Sequence, residues 1–334
     1  LRVHMSRTVS KPSLTSRQFK KHSLLQRYAP WLYAFWKFSR PHTIIGTSLS
    51  VLGLYLLAVA GSETAINPAT SLVPADVFSA VTVLLPPLLA CLCGNVYIVG
   101  LNQLEDIEID RINKPDLPLA SGEFSRRQGS IIVAIAGVLA LLLALSQGGF
   151  LLATVGISVL IGTAYSLPPI RLKRFPVWAS LCIFTVRGMI VNLGLFLHFQ
   201  GRLPILPSVW ALTLFVLVFT FAIAIFKDIP DMEGDRQYNI KTFTLRLGQG
   251  AVFRLALWVI TSSYLGMVLA GLLGLPGSNH LVLIVSHLVA LGLLWFRSTQ
   301  VDLTAQSSIS AYYQFIWKLF FLEYLVFPIT CLLA

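Results

Sequence analysis

Two short stretches hold the residues best suited to chemistry. "DIEIDR" (106–111) and "DMEGDR" (231–236) set Asp, Glu, Asp and Arg in matching order, 125 residues apart. The chain has fourteen acidic residues, and ten lie in or beside these stretches: Glu105, Asp106, Glu108, Asp110, Asp116, Glu123, Asp228, Asp231, Glu233 and Asp235. Read as the last turns of a helix, Asn102, Asp106 and Asp110 follow at i, i+4 and i+8 and share one face. Glu108 falls roughly opposite and is a bystander. Asp228, Asp231 and Asp235 follow at i, i+3 and i+7, but Pro230 and Gly234 point to a bent helix end, with Glu233 as a fourth candidate. Solvated loop carboxylates would be the bland alternative, and they would be scattered. Clustered carboxylates repel one another unless a positive charge stands between them. Hard divalent cations take such oxygen ligands, and Mg²⁺ often combines one or two carboxylates with the oxygens of a bound phosphate. Arg111, Lys114, Lys173, Arg174, Lys227 and Lys241 flank the acids, which suits a polyanion held by metal and side-chain cations together. A diphosphate on a lipid-soluble tail fits, with its headgroup at the rim and its tail among apolar helices.

Apolar elements must position these residues. The chain is 56% hydrophobic and 12% charged, about half the charge of a soluble domain. Nine windows are apolar and near the roughly 20 residues a helix needs to cross a bilayer: 43–60, 77–101, 130–147, 149–167, 177–199, 207–226, 251–273, 279–296 and 311–333. The third and fourth are joined by "SQGG" and read as a helical hairpin. The expected fold is an all-α polytopic membrane protein, nine transmembrane helices in one bundle around a central cavity. No linker divides it, so 41–334 reads as a single membrane domain after a basic arm and interfacial segment at 1–40. The acidic clusters close the second and sixth spans, which hints at an internal repeat with the two clusters facing one another.

Lys and Arg sort by loop. The arm to Arg40 carries nine and no acid; the loops on its side bring the count to twenty-two, against Arg202 alone on the other. By the positive-inside rule both acidic clusters face the cytoplasm or an equivalent stroma-like side. The net charge of +11 follows from this bias, and no aromatic-interleaved basic face points to nucleic acid. The Ser-rich arm reads as an anchor on anionic lipid or as a transit segment, with Trp31, Tyr33, Phe35, Trp36 and Phe38 at the interface. Within the spans, Arg187 lies near mid-membrane and is the polar group best placed for function. Lys318 and Glu323, five apart, are expected to pair, and His287 to be a hydrogen-bonded packing group. Cys91, Cys93, Cys182 and Cys331 lie in apolar spans and suggest no disulfide framework.

The motifs "NQLEDIEID" and "KDIPDMEGD" resemble those of the UbiA superfamily of membrane prenyltransferases. The blocks "FWKFSRPHTIIGTSLS", "GNVYIVGLNQLEDIEIDRINKPDLPLASGEFS", "GTAYSLPPIRLKRFP", "FKDIPDMEGDR" and "YYQFIWKLFFLEYL" are similar to its homogentisate-using branch, the cyanobacterial form above all. They run in order from Phe35 to near the C-terminus; residues 1–30 lie outside, with Met5 a candidate start. The resemblance implies Mg²⁺-dependent transfer of a phytyl group from phytyl diphosphate to homogentisate, with loss of CO₂ and diphosphate, in tocopherol synthesis. It implies two Mg²⁺ ions, one at Asn102, Asp106 and Asp110, the other at Asp228, Asp231 and Asp235. Arg111, Lys114, Lys173, Lys227 and Lys241 would hold the diphosphate, and Tyr165 would orient the acceptor or face the allylic cation. The membrane would be a cyanobacterial plasma or thylakoid membrane, or that of a plastid. Geranylgeranyl or solanesyl diphosphate and other phenols are the alternatives within this chemistry. A cation-coupled transporter is the alternative outside it, but its carboxylates would lie near mid-membrane, whereas these close the ends of spans.

Overall fold

The computed structural model describes residues 28–63, 77–238 and 242–334. The arm before residue 28 and Lys241 lie outside these. The described residues form helices and no strand. In chain order they are α1 (Pro30–Phe38), α2 (Pro41–Glu63), α3 (Val77–Glu105), α4 (Ile107–Asn113), α5 (Pro118–Ser121), α6 (Arg126–Ser146), α7 (Gly149–Ser166), α8 (Pro176–Phe184), α9 (Val191–Gln200), α10 (Pro207–Phe226), α11 (Met232–Gln237), α12 (Phe243–Leu247), α13 (Gln249–Leu272), α14 (His280–Ser298) and α15 (Gln306–Leu332).

Nine of the described stretches are long and apolar enough to cross a bilayer, and each overlaps one of the nine sequence windows. The chain is a multi-pass membrane protein. Run length, not periodicity, makes these spans legible, because a lipid-facing helix needs no polar face. The fifth span joins α8 to α9 through a π-helical turn, Thr185–Ile190. Gln147 and Gly148 make the hairpin turn between α6 and α7, with Gly148 at φ 102°.

The helices close into a ring. α2 packs on α3, α3 on α6 and α7, and α7 on α8 and α9; α10 follows, then α13, α14 and α15, which returns to α2. Lipid tails are as apolar as the side chains, so the ring is held by close packing and polar ties. One tie corrects the sequence reading. Lys318 and Glu323 do not pair: five residues turn a helix by about 500°, and Lys318 is exposed while Glu323 is buried. Glu323 instead meets Nε2 of His287 at 3.3 Å, and His287 Nδ1 lies 2.7 Å from the carbonyl of Leu283. His287 is thus a packing group that joins α14 to α15.

α1 lies outside the ring. Trp31 and Trp36 are exposed, whereas Ala34 and Phe38 are buried. Gln103 Nε2 donates to the Phe38 carbonyl at 2.7 Å, and Lys37 pairs with Glu123. These contacts fix α1 beside the end of α3, where the first acidic motif begins.

Candidate active site

Both acidic motifs emerge at one end of the ring. They do so by a different route from the one the spacing implies. α3 stops at Glu105, and Asp106 sits in the break before α4, with φ −116° and ψ 18°. Asn102 and Asp110 therefore do not lie on one continuous helix face. They converge because the chain turns: Asn102 Nδ2 donates to Asp106 Oδ2 at 3.0 Å, and Asp110 follows within α4, buried. The second motif is the bent helix end that Pro230 and Gly234 suggest. α10 ends at Phe226, residues 227–230 turn, and α11 starts at Met232.

α4 and α11 face each other. The Gly234 N–H donates to Asn113 Oδ1 at 2.8 Å, and Lys114 pairs with Asp231. Between the motifs opens a cavity of about 370 Å³ that reaches down into the ring. Asn102, Asp106, Asp110, Asp228, Asp231 and Asp235 line it, as do Lys114, Lys173, Lys227 and Tyr165. Three flanking residues do not join them. Arg111 is exposed and bridges to Glu108 at 2.7 Å, one turn back on the outer side of α4. Glu233 is exposed and accepts from Gln237, and Arg174 is likewise absent from the lining.

Two arginines belong to the site that sequence reasoning left among the topological charges. Arg171 Nη2 donates to Asp106 Oδ1 at 3.1 Å, and Arg40 Nη2 stands 4.0 Å from Asp110 Oδ2. Among the described residues these are the non-glycine positions with positive φ, 38° and 53°. Such a backbone costs on the order of 1 kcal/mol or more and persists where surrounding structure enforces it, often at functional sites. The signal available in sequence was an Arg next to or two residues after proline, in "SRP" and "PPIR".

The electrostatics are unusual for a membrane rim. Asp106 accepts from Lys173 Nζ at 2.6 Å, and Lys227 Nζ lies 3.1 Å from Asp228 Oδ1. Asp110 Oδ2 is buried without a hydrogen-bond donor. Burial pushes the Asp110 carboxyl up to about 6, against the pull of Arg40 and Lys114. Burial, then repulsion from Asp231 and Asp228, pushes Asp235 up to about 7. Asp228 is also raised, by burial. Burial alone would lower Lys227, but Asp228 and its neighbours outweigh it and hold the ammonium well above its usual range.

These shifts set a stability rule. A carboxyl whose pKa rises on folding favours the folded state while protonated; for Asp235 that contribution is complete below its ordinary 3.8 and lost as pH climbs through about 7. Without added cations, the thermal midpoint should fall between pH 4 and pH 8 more steeply in the parent than in Asp235→Asn. Identical slopes in detergent-solubilised protein would show that Asp235 carries no such cost.

A cluster of hard oxygen donors fits Mg²⁺, and the Asp110 oxygen left without a hydrogen-bond donor has the chemistry of a metal ligand. Among the described residues no group of three or more His, Cys, Asp or Glu is arranged to hold an ion by itself. The reason is visible in the partners: Asp106, Asp228 and Asp231 each face a cation of the chain. The two three-ligand sets implied by the resemblance line one cavity but do not stand as closed spheres.

A ring of apolar helices carries two facing acidic motifs over one cavity, a site suited to a membrane enzyme. The chain belongs to the UbiA prenyltransferase family, whose model matches residues 68–319. It is 57% identical over 304 residues to a homogentisate phytyltransferase of Synechocystis sp., covering 90% of this chain and 96% of that protein. It is 41% identical to homogentisate phytyltransferase 1, chloroplastic, of Arabidopsis thaliana, covering 93% and 78% respectively. A solved UbiA homolog from Archaeoglobus fulgidus, bound to GPP and Mg²⁺, shares the fold with a TM-score of 0.59 at 16% identity, covering 90% of this chain and 100% of that one.

The flanking cations differ in placement, with Arg111 outside the cavity and Lys173 lining it. Arg111→Ala should leave prenyl transfer within about twofold, as for most exposed substitutions. Lys173→Ala should lower it roughly 10- to 100-fold, the worth of a charged hydrogen bond. Equal losses in a reconstituted assay would contradict the placement of Arg111 outside the site.

Proposed function

We propose that this chain transfers a phytyl group from phytyl diphosphate to homogentisate, as its 57% identical relative is named for doing. The observation that carries the reading is the opposed pair of acidic motifs at the rim of one cavity, with Lys114, Lys173 and Lys227 between them. That rim suits a diphosphate, and the apolar depth below it suits a prenyl chain. The rim faces the cytoplasm or stroma, a reading supported by the bias of the loop charges, and residues 41–334 act as one catalytic domain behind a membrane-anchoring arm.

Asp106, Asp110, Asp228, Asp231 and Asp235, with Asn102, would hold Mg²⁺. One or two carboxylates per ion suffice when diphosphate oxygens and water complete the sphere. When bound, the metal would supply positive charge to the departing diphosphate. Lys173, Lys114 and Lys227 would turn from their carboxylate partners to phosphate oxygens, so the bound headgroup replaces the internal ion pairs. Tyr165 lines the cavity at the rim end of α7 and would orient the acceptor or face the allylic cation.

The bond changes balance. The donor C1–O bond breaks and diphosphate keeps the electron pair. A ring carbon bonds to C1 and loses its proton. The acetate carboxyl leaves as CO₂, and the methylene carbon keeps the pair and takes up a proton, becoming a methyl group.

The test is a donor-by-acceptor product matrix in vesicles with Mg²⁺. Phytyl diphosphate and homogentisate should give a methylated phytylquinol, CO₂ and diphosphate. A preference for geranylgeranyl or solanesyl diphosphate would move the reading to a sister activity. No product from any prenyl diphosphate would sink it.

A further inference from the structure

The cavity is lined by five Lys and Arg side chains: Arg40, Lys114, Lys173, Arg187 and Lys227. Four stand at the rim, each beside a carboxylate: Arg40 by Asp110, Lys114 by Asp231, Lys173 by Asp106 and Lys227 by Asp228. Arg187 is different. It belongs to the fifth span, inside the ring, and among the described residues no carboxylate stands at ion-pair distance from it. A guanidinium at that depth is costly unless something compensates it.

The structure holds this cation in place without neutralising it. Its guanidinium carbon lies 5.2 Å from the Trp317 ring centre and 5.5 Å from that of Phe320. These rings give a partial, geometry-fixing attraction. Gly46 packs against the guanidinium: a Cβ there would come within 2.9 Å of Arg187 Nη1. The residue also sits in the π-helical turn Thr185–Ile190, a local defect frequent at functional sites. Glycine, aromatic platform and helix defect together aim one unpaired cation into the substrate cavity, below the diphosphate rim.

We propose that Arg187 is the binding residue for the carboxylate of the aromatic acceptor. The inference rests on the homogentisate reading above and deepens it, because that acceptor is an anion whose charge must be met inside the bundle. The diphosphate takes the rim cations, and the acceptor's acetate takes Arg187. The ring is then held between them, next to the donor carbon. Guanidinium matches carboxylate with paired hydrogen bonds, which ammonium does not.

The experiment compares homogentisate with its neutral amide, 2,5-dihydroxyphenylacetamide, using the full chain in vesicles with saturating prenyl diphosphate and counting all prenylated product. The parent should prefer the carboxylate by about 10- to 100-fold in kcat/KM, the range of a charged hydrogen bond. Arg187→Gln should bring that ratio near one, chiefly through the KM for homogentisate, with little change in KM for the donor. Arg187→Lys should fall between. Gly46→Ala, which displaces Nη1 and leaves the charge, should also weaken the preference. A parent without preference would overturn the assignment, as would Arg187→Gln with the ratio intact or with the donor KM raised. If Arg187→Gln does not insert, the Gly46→Ala and Arg187→Lys ratios decide the matter. A parent that makes no product from homogentisate refutes the proposed function itself. Production from homogentisate with an unchanged ratio refutes only the role of Arg187.

Discussion

Asp106→Asn should lower prenyl transfer by about 10²–10³-fold or more, the scale of a lost Lewis-acid contact, with donor binding retained. The asymmetry follows from what Asp106 touches. It accepts from Asn102, Arg171 and Lys173 at 3.0, 3.1 and 2.6 Å. Removing its charge frees Lys173 and Arg171 to grip the diphosphate, so the donor should bind as well or better. If Asp106 is a metal ligand, turnover should nevertheless collapse, because an amide in its place brings no negative charge to hold an ion on the departing group. A structural account of Asp106, as a counter-charge for two cations, makes the opposite prediction for a double variant. Asp106→Asn with Lys173→Gln restores charge balance and should match Lys173→Gln alone if balance is all that matters. If Asp106 holds metal, the double variant stays as inactive as Asp106→Asn. Activity equal to that of Lys173→Gln alone would remove Asp106 from the metal site.

The spans were legible because lipid imposes a length and a composition on them, and nothing in the bundle contradicts either. The site was half legible. Asp106, Asp110, Asp228, Asp231 and Asp235 stand out by their scarcity elsewhere, and all line the cavity. The geometry that brings them there did not stand out. A helical wheel gave Asn102, Asp106 and Asp110 one face, yet the chain breaks at Asp106. The aligned result came from a wrong local picture, since both a continuous face and a break can converge the same three side chains. Arg111 was misassigned because a charge next to a motif carries no direction. Glu108 at i−3 captures it on the outer face. Arg40 and Arg171 escaped for a deeper reason. Their backbones adopt positive φ, set by tertiary packing rather than by residue type. The pairing of Glu323 with His287 instead of Lys318 was hidden likewise, because a contact between α14 and α15 has no trace in local spacing.

Gly234→Ala tests whether the spacing of the two motifs is itself part of the catalyst. Gly234 lies in α11, outside the positive-φ glycines, so its backbone does not require glycine. In isolation the change should favour the helix by about 1 kcal/mol. Contact reverses the sign. An added Cβ would fall 2.4 Å from Asn113 Oδ1 and 2.6 Å from its Cγ and Nδ2. Asn113 must then swing away and surrender the bond from the Gly234 N–H, or α4 and α11 must move apart. The first loosens the tie between the motifs and the second shifts Asp110 relative to Asp235; a displacement of about 1 Å can cost on the order of 100-fold in rate. Asn113→Ala separates the two causes, since it loses the bond without a clash. It should cost roughly tenfold, near the worth of one hydrogen bond. The double variant, with room for the new Cβ, should resemble Asn113→Ala more closely than Gly234→Ala. Membrane insertion and thermal midpoint should change little across the set, because the ring of spans does not pass through this contact. Full activity in Gly234→Ala would show that the mouth tolerates a change in spacing, and that the facing motifs work independently.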